Sequence, residues 1–158
     1  LVHSLLKDRQ FSTLSEYEKN RITDRILEEV RGRMMEDIVL LETMKAADSD
    51  HRVFKLQFAA GEFDMVIYNQ RENCCSIFEI KHSNQQVPFQ YRHLLDEDKC
   101  QKTEQRFGPI QGRYVLYRGE DTQMENGVQY CNVESFLKAL PSLDLVRTHS
   151  VEKSAGLW

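Results

Sequence analysis

The sequence predicts an α/β domain, a mixed central β-sheet with helices on its faces, and three observations carry that prediction. A helical pattern runs from Ser15 to Ala47, with Ile22, Ile26, Val30, Met34 and Ile38 at four-residue steps. Three strand-like runs follow: Arg52 to Ala59, Gly61 to Tyr68 and Cys74 to His82, with turn formers from Asn69 to Asn73 between the last two. A second helical stretch, Phe89 to Phe107, then leads into Arg113 to Tyr117. A strand, a long helix and another strand form a crossover, which places the two strands parallel. The short links between the first three strands suit antiparallel pairing, so the sheet is mixed.

Taken in order, Leu1 to Lys7 is a short apolar stretch, expected to be the end of a helix belonging to something upstream. Ser15-Glu16-Tyr17-Glu18 fits a capping box that starts the first long helix. Gly32 interrupts that helix at a cost of about 1 kcal/mol relative to Ala, as a residue allowing close approach to another element would. From Met34 to Met44 the helix is apolar nearly all round, which predicts burial on both sides. Asp48 to His51 is a turn, and Ala60-Gly61 leads tightly into the strand of Asp64. Ser83 to Val87 is a polar linker, and Pro88 suits the first position of the next helix. Gly108-Pro109 stops that helix. Asp121 to Gly127 reads as loop, Val128 to Val133 as a fifth strand, and Glu134 to Leu140 as a short helix stopped by Pro141. The tail from Leu143 has no clear periodicity.

With 158 residues and 41% hydrophobic content, the chain builds one domain with a real core. No apolar run approaches the roughly 20 residues needed to span a bilayer, and no signal peptide is present. The expected setting is the cytoplasm, without membrane association. A start on Leu1 suggests a piece of a longer protein. The net charge of −4 weighs mildly against tight, unassisted nucleic-acid binding. Cys74, Cys75, Cys100 and Cys131 form no C-x-x-C pair and are expected to be buried free thiols. No G-x-x-x-x-G-K-[ST] phosphate loop occurs.

The chemistry concentrates in Gly61-Glu62-Phe63-Asp64-Met65-Val66-Ile67-Tyr68 and Ser76-Ile77-Phe78-Glu79-Ile80-Lys81-His82. Alternate strand residues share a face, so Glu79 and Lys81 point together with Ile77, while Phe78 and Ile80 point into a core. Hairpin pairing brings Asp64 beside Glu79. Two carboxylates with a lysine one step along suit a hard divalent cation and a phosphate. The bland alternative is a solvated Glu-x-Lys pair, but both charges sit in an otherwise apolar strand. Glu36 shares a helix face with Gly32 and Leu40; taken alone it reads, with Asp37, as an ordinary surface acid at a helix middle.

These residues resemble the PD-(D/E)XK nuclease superfamily: Asp64, fourteen intervening residues, then Glu79-Ile80-Lys81, with Glu36 as the helix acid. Phe63 stands where that family carries proline. Gly32 to Glu36, Gly61-Glu62-Phe63-Asp64, Phe78-Glu79-Ile80-Lys81-His82-Ser83 and Tyr114-Val115-Leu116-Tyr117-Arg118-Gly119 look more closely like the nuclease-like C-terminal domain of some prokaryotic AAA-type ATPases. The resemblance implies a restriction-endonuclease-like core over 21–141, an N-terminal segment 1–20 left from an upstream ATPase module, and a tail 142–158. It also implies Mg²⁺ or Mn²⁺ held by Asp64, Glu79, Glu36 and the Ile80 carbonyl. Asp64, Glu79, Lys81 and Glu36 would be catalytic, with Lys81 acting on the attacking water and the phosphate charge. Gln90 would contact substrate, whereas His82 and His93 read as structural or surface residues. Arg92, Arg106, Arg113 and Arg118 are candidates for a basic rim, though scattered arginines usually mean solvated surface. The implied partners are nucleic acid (DNA before RNA), the upstream ATPase and, as an open option, a second copy of the chain. A catalytically silent module that binds nucleic acid, or regulates or oligomerises its ATPase, is the alternative; a plain interaction domain leaves Glu79 and Lys81 unexplained.

Overall fold

A computed structural model describes residues 9–141. The expectations for Leu1 to Lys7 and for the tail after Pro141 lie outside the described residues. The elements are α1 (Arg9–Ser12), α2 (Glu16–Ala46), β1 (His51–Gln57), β2 (Glu62–Asn69), β3 (Cys74–Ile80), a 3-10 helix (Pro88–Leu95), α3 (Glu97–Phe107), β4 (Ile110–Tyr117), β5 (Thr122–Gln123), β6 (Val128–Asn132) and α4 (Val133–Ala139). The strands form one sheet in the order β1-β2-β3-β4-β6-β5. The first three pair antiparallel, β3 pairs β4 and β4 pairs β6 parallel, and β5 returns antiparallel on β6. The mixed α/β architecture is therefore the one the sequence predicts. No helix among the described residues is long and apolar enough to cross a membrane.

The chain divides into two compact units, Leu1–Met34 and Met35–Trp158. In the first, the expected capping box is formed: Ser15 N–H donates to Glu18 Oε2 at 3.0 Å and Glu18 N–H to Ser15 Oγ at 3.3 Å. Exposed pairs one turn apart, Arg31–Glu28 and Arg33–Glu29, add a few tenths of a kcal/mol each. Gly32 needs correction. A Cβ built there meets nothing within 4 Å among the described residues, so no close approach explains the glycine.

In the second unit the sheet is covered on both faces. Every residue of β3 is buried, as expected of a strand with helices above and below. One face packs Val66, Cys75, Ile77, Val115, Tyr117 and Tyr130 with Leu94 of the 3-10 helix and Cys100 of α3. The other packs Met65, Ile67, Phe78, Ile80 and Leu116 with Val39 of α2 and Val133 of α4. The expectation that Met34 to Met44 is buried on both sides fails. Val39 and Thr43 are buried, but Ile38, Leu41 and Met44 are 50%, 53% and 48% exposed, because a helix on a sheet has only one face to bury.

The predicted helix Phe89–Phe107 is two helices. Pro88 begins 3-10 winding, Asp96 takes an extended conformation (φ −70°, ψ 112°), and its side chain caps α3 by accepting Lys99 N–H at 3.1 Å. Gly108 ends α3 at φ +73°, where a Cβ would lie 1.8 Å from the Asn73 carbonyl oxygen; only glycine fits. The loop expected over Asp121 to Gly127 contains the two-residue edge strand β5.

Candidate functional site

The site forms where β2 and β3 stop pairing. Phe54 and Leu56 are two residues apart on β1, yet they face Val66 and Phe63, which are three apart on β2. β2 therefore carries one extra residue at Asp64–Met65, a bulge of the kind that re-aims a side chain. The β2–β3 register ends with Met65 opposite Phe78, which puts Asp64 next to Glu79 at the mouth of the ladder. Asp64 Oδ2 accepts the Ile80 N–H at 2.7 Å and lies 3.3 Å from Lys81 Nζ. Lys81 Nζ is 2.7 Å from Glu79 Oε2. The Lys81 N–H donates to the Leu116 carbonyl at 2.8 Å, which anchors this segment to β4.

A second group of charges meets Asp64 from the side of α2. Single carboxylate oxygens of Glu36, Glu62 and Asp64 lie within 4.8 Å of one another. Lys55 Nζ is 3.1 Å from Glu62 Oε1 and 3.5 Å from Glu36 Oε2. Asp64 is the shared member: it touches Lys81, the residue after β3, and belongs to the acidic trio. The candidates Asp64, Glu79, Lys81 and Glu36 are thus one constellation, though Glu79 reaches it through Lys81 and Asp64 rather than as part of the trio. Glu62 and Lys55 were missed. The signal for Glu62 was present, since it lies two residues from Asp64 on one strand.

The electrostatics follow from this crowding. Burial, and next the Asp64 charge, push Glu79 up to about 7 against the pull of Lys81. Burial and Asp64 raise Glu36 in the same way. For Lys81 burial is the largest influence and acts downward, but Asp64 and Glu79 together raise it. With all groups ionised, four carboxylates face two ammonium groups, an excess of two negative charges. Glu79 Oε1 is buried without any hydrogen-bond partner among the described residues. Oxygen donors, a doubly negative balance and an orphaned buried carboxylate oxygen fit a hard divalent cation.

A cleft of about 310 Å³ opens beside Glu79 and Lys81, lined also by His82, Ser83, Phe89, Gln90, Arg92 and His93. Gln90 is buried and committed to its own loop. Its amide oxygen accepts Val87 N–H at 3.0 Å and Tyr130 O–H at 3.2 Å, and its NH₂ donates to the Gln85 carbonyl at 3.3 Å. His93, read from sequence as structural or surface, lines the cleft and pairs through Nδ1 with Lys99 Nζ at 2.7 Å. Comparison of the chain with protein-family models, with curated proteins and with solved structures found no match.

Proposed function

We propose that this chain is a metal-dependent phosphodiesterase domain acting on nucleic acid, built on the PD-(D/E)XK arrangement. The observation that carries the reading is the Asp64 carboxylate, which meets Ile80 N–H and Lys81 Nζ through one oxygen and has Glu36 and Glu62 within 4.8 Å. The element order supports it: a helix with an inward acid, three antiparallel strands, a helical crossover and a parallel strand. Asp64, Glu36 and Glu62, with Glu79 and the Ile80 carbonyl beside them, would hold Mg²⁺ or Mn²⁺. The chemistry such an ion supplies is acidification of water and compensation of phosphate charge.

The protein's own groups have separable parts in this reading. Asp64 holds the β3 backbone in place through Ile80 N–H, so it positions as well as ligates. Glu79 Oε1, buried and without a hydrogen-bond partner among the described residues, is an acceptor in a setting where burial favours a proton. Lys81 carries a compact positive charge at the cleft floor, suited to orienting water and offsetting charge on a phosphate oxygen. Its place in the cytoplasm, as the C-terminal module of an AAA-type ATPase, belongs to the same proposal and rests on the motif resemblance.

One observation favours a second reading, a catalytically silent nuclease-fold module. Lys81 Nζ sits 2.7 Å from Glu79 and 3.3 Å from Asp64, pairing with the two carboxylates a cation would need. A cutting assay on plasmid, single-stranded DNA and RNA with Mg²⁺ or Mn²⁺, run beside Lys81→Ala and EDTA controls, separates the two. Cutting lost in both controls supports the hydrolase. No cutting of any substrate, together with no stabilisation by Mg²⁺, supports the silent module.

A further inference from the structure

The cleft has one wall whose chemistry the hydrolysis reading leaves unused. It is the 3-10 helix, where residues three apart eclipse one another, so Phe89 and Arg92 line up along one side. Phe89 is 66% exposed, although it is an aromatic side chain lining a cleft. Among the described residues its ring stacks on no other ring and no cation, and the Arg92 guanidinium pairs with no carboxylate.

Behind them lies Lys99, 5% exposed, whose ammonium rests against His93 and 5.7 Å from the Phe58 ring centroid and, among the described residues, on no acid. An ammonium has only hydrogens to give, so His93 Nδ1 accepts, and the neutral ring carries its proton on Nε2 as a further donor. A buried positive charge without a counter-ion is costly. Arg92, with Lys99 behind it, therefore gives the wall a positive character, whereas Lys81 is engaged by Asp64 and Glu79. Flat apolar surface beside unpaired cations is the combination that single-stranded nucleic acids find on their binding proteins.

Resting on the nucleic-acid reading above, we infer that the cleft takes a single-stranded stretch, with a base stacked on Phe89 and the neighbouring phosphate on Arg92 and His93. A duplex turns its base faces onto one another and has none to offer this ring; an unpaired strand of DNA or RNA does.

The test is fluorescence anisotropy of labelled oligo-dT, oligo-rU and a duplex of equal length, titrated in EDTA with the 158-residue chain. The expected result is that single strands bind more tightly than duplex. Phe89→Ala should weaken single-strand binding by about 5- to 150-fold, and Phe89→Tyr should restore it. Arg92→Ala should reduce the slope of log affinity against log salt by about 0.7 to 1. Equal affinities for dT and rU mean that base face and phosphate are read; oligo-dU, which differs from rU only at the 2′ position, separates a sugar preference from the effect of the thymine methyl group. Duplex binding as tight as single-strand binding, or a Phe89→Ala protein that binds like wild type, overturns the inference. Phe89-dependent binding without metal-dependent cutting keeps it and removes the hydrolase. Cutting by a chain whose single-strand affinity ignores Phe89 does the reverse.

Discussion

The carboxylate of Asp64 takes the place of a backbone carbonyl: its Oδ2 accepts the Ile80 N–H at 2.7 Å where the β2–β3 ladder has ended. One side chain thereby closes the sheet and belongs to the acidic site. Asp64→Ala should leave a buried N–H without a partner and cost about 1–3 kcal/mol. Asp64→Asn keeps an oxygen acceptor and should cost less. Urea denaturation in EDTA compares them; equal damage from both substitutions would mean that charge, not the hydrogen bond, matters there.

Lys81 competes with any cation for Asp64 and Glu79. Removing it in Lys81→Ala should lower stability in EDTA, because two buried carboxylates lose a counter-ion. The same substitution should tighten Mg²⁺ binding. Stabilisation follows RT ln(1 + [Mg²⁺]/Kd), about 2.7 kcal/mol at a hundredfold excess over Kd. Thermal melts with Mg²⁺ should therefore show a larger upward shift for Lys81→Ala than for wild type, and a smaller one for Glu62→Gln. A shift unchanged by Glu62→Gln would exclude Glu62 as a ligand.

Metal-free stability should fall as pH rises through neutrality. Glu79 goes from 4.5 unfolded to about 7 folded, so the native state holds its proton more tightly. The resulting stabilisation is full below about pH 4.5 and is lost as pH climbs through 7, by up to about 3 kcal/mol. Glu36 is raised and acts in the same direction. Urea midpoints at pH 5 and pH 8 in EDTA check this, and Glu79→Gln should flatten the difference. A midpoint that rises between those pH values would contradict the assignment.

Among the described residues, Gly32 has open space around its missing side chain. Gly32→Ala should stabilise the helix by about 0.5–1 kcal/mol, since alanine there meets no clash and costs less backbone entropy. Helicity followed by circular dichroism through a thermal melt measures it. A loss of stability would reveal a contact made at this position.

The cysteines should be slow to react. Burial, and next Cys74, push Cys75 up to about 12; burial and Asp121 push Cys131 up to about 11. All four thiols are free, and Cys74, Cys75 and Cys100 are buried. A thiol reagent at pH 8 should label the native protein far more slowly than the urea-unfolded chain. Two or more thiols reacting at the unfolded rate would show that the sheet opens readily.

Local pattern alone determined a great deal of this molecule. Residue type and period placed α2, five of the six strands and α4, and the strand-helix-strand connection set β4 parallel to β3, because these follow from side-chain alternation and chain reach. The chemistry of Asp64, Glu79 and Lys81 was legible for the same reason, since charges inside apolar strands stand out. Tertiary structure decided the rest. A one-residue bulge on β2 joins Asp64 to Glu36 and Glu62, and a register irregularity leaves no mark in residue type. Neither hydrophobic period nor Pro88 distinguishes a 3-10 turn from an α-turn, so the break at Asp96 and the wall of Phe89 and Arg92 appear only once the helix packs on the sheet. From Met34 to Met44 helix α2 reads as apolar nearly all round, but one sheet face can bury only Val39, Thr43 and their neighbours. What a residue is depends on local sequence; what it faces depends on which element arrives opposite it.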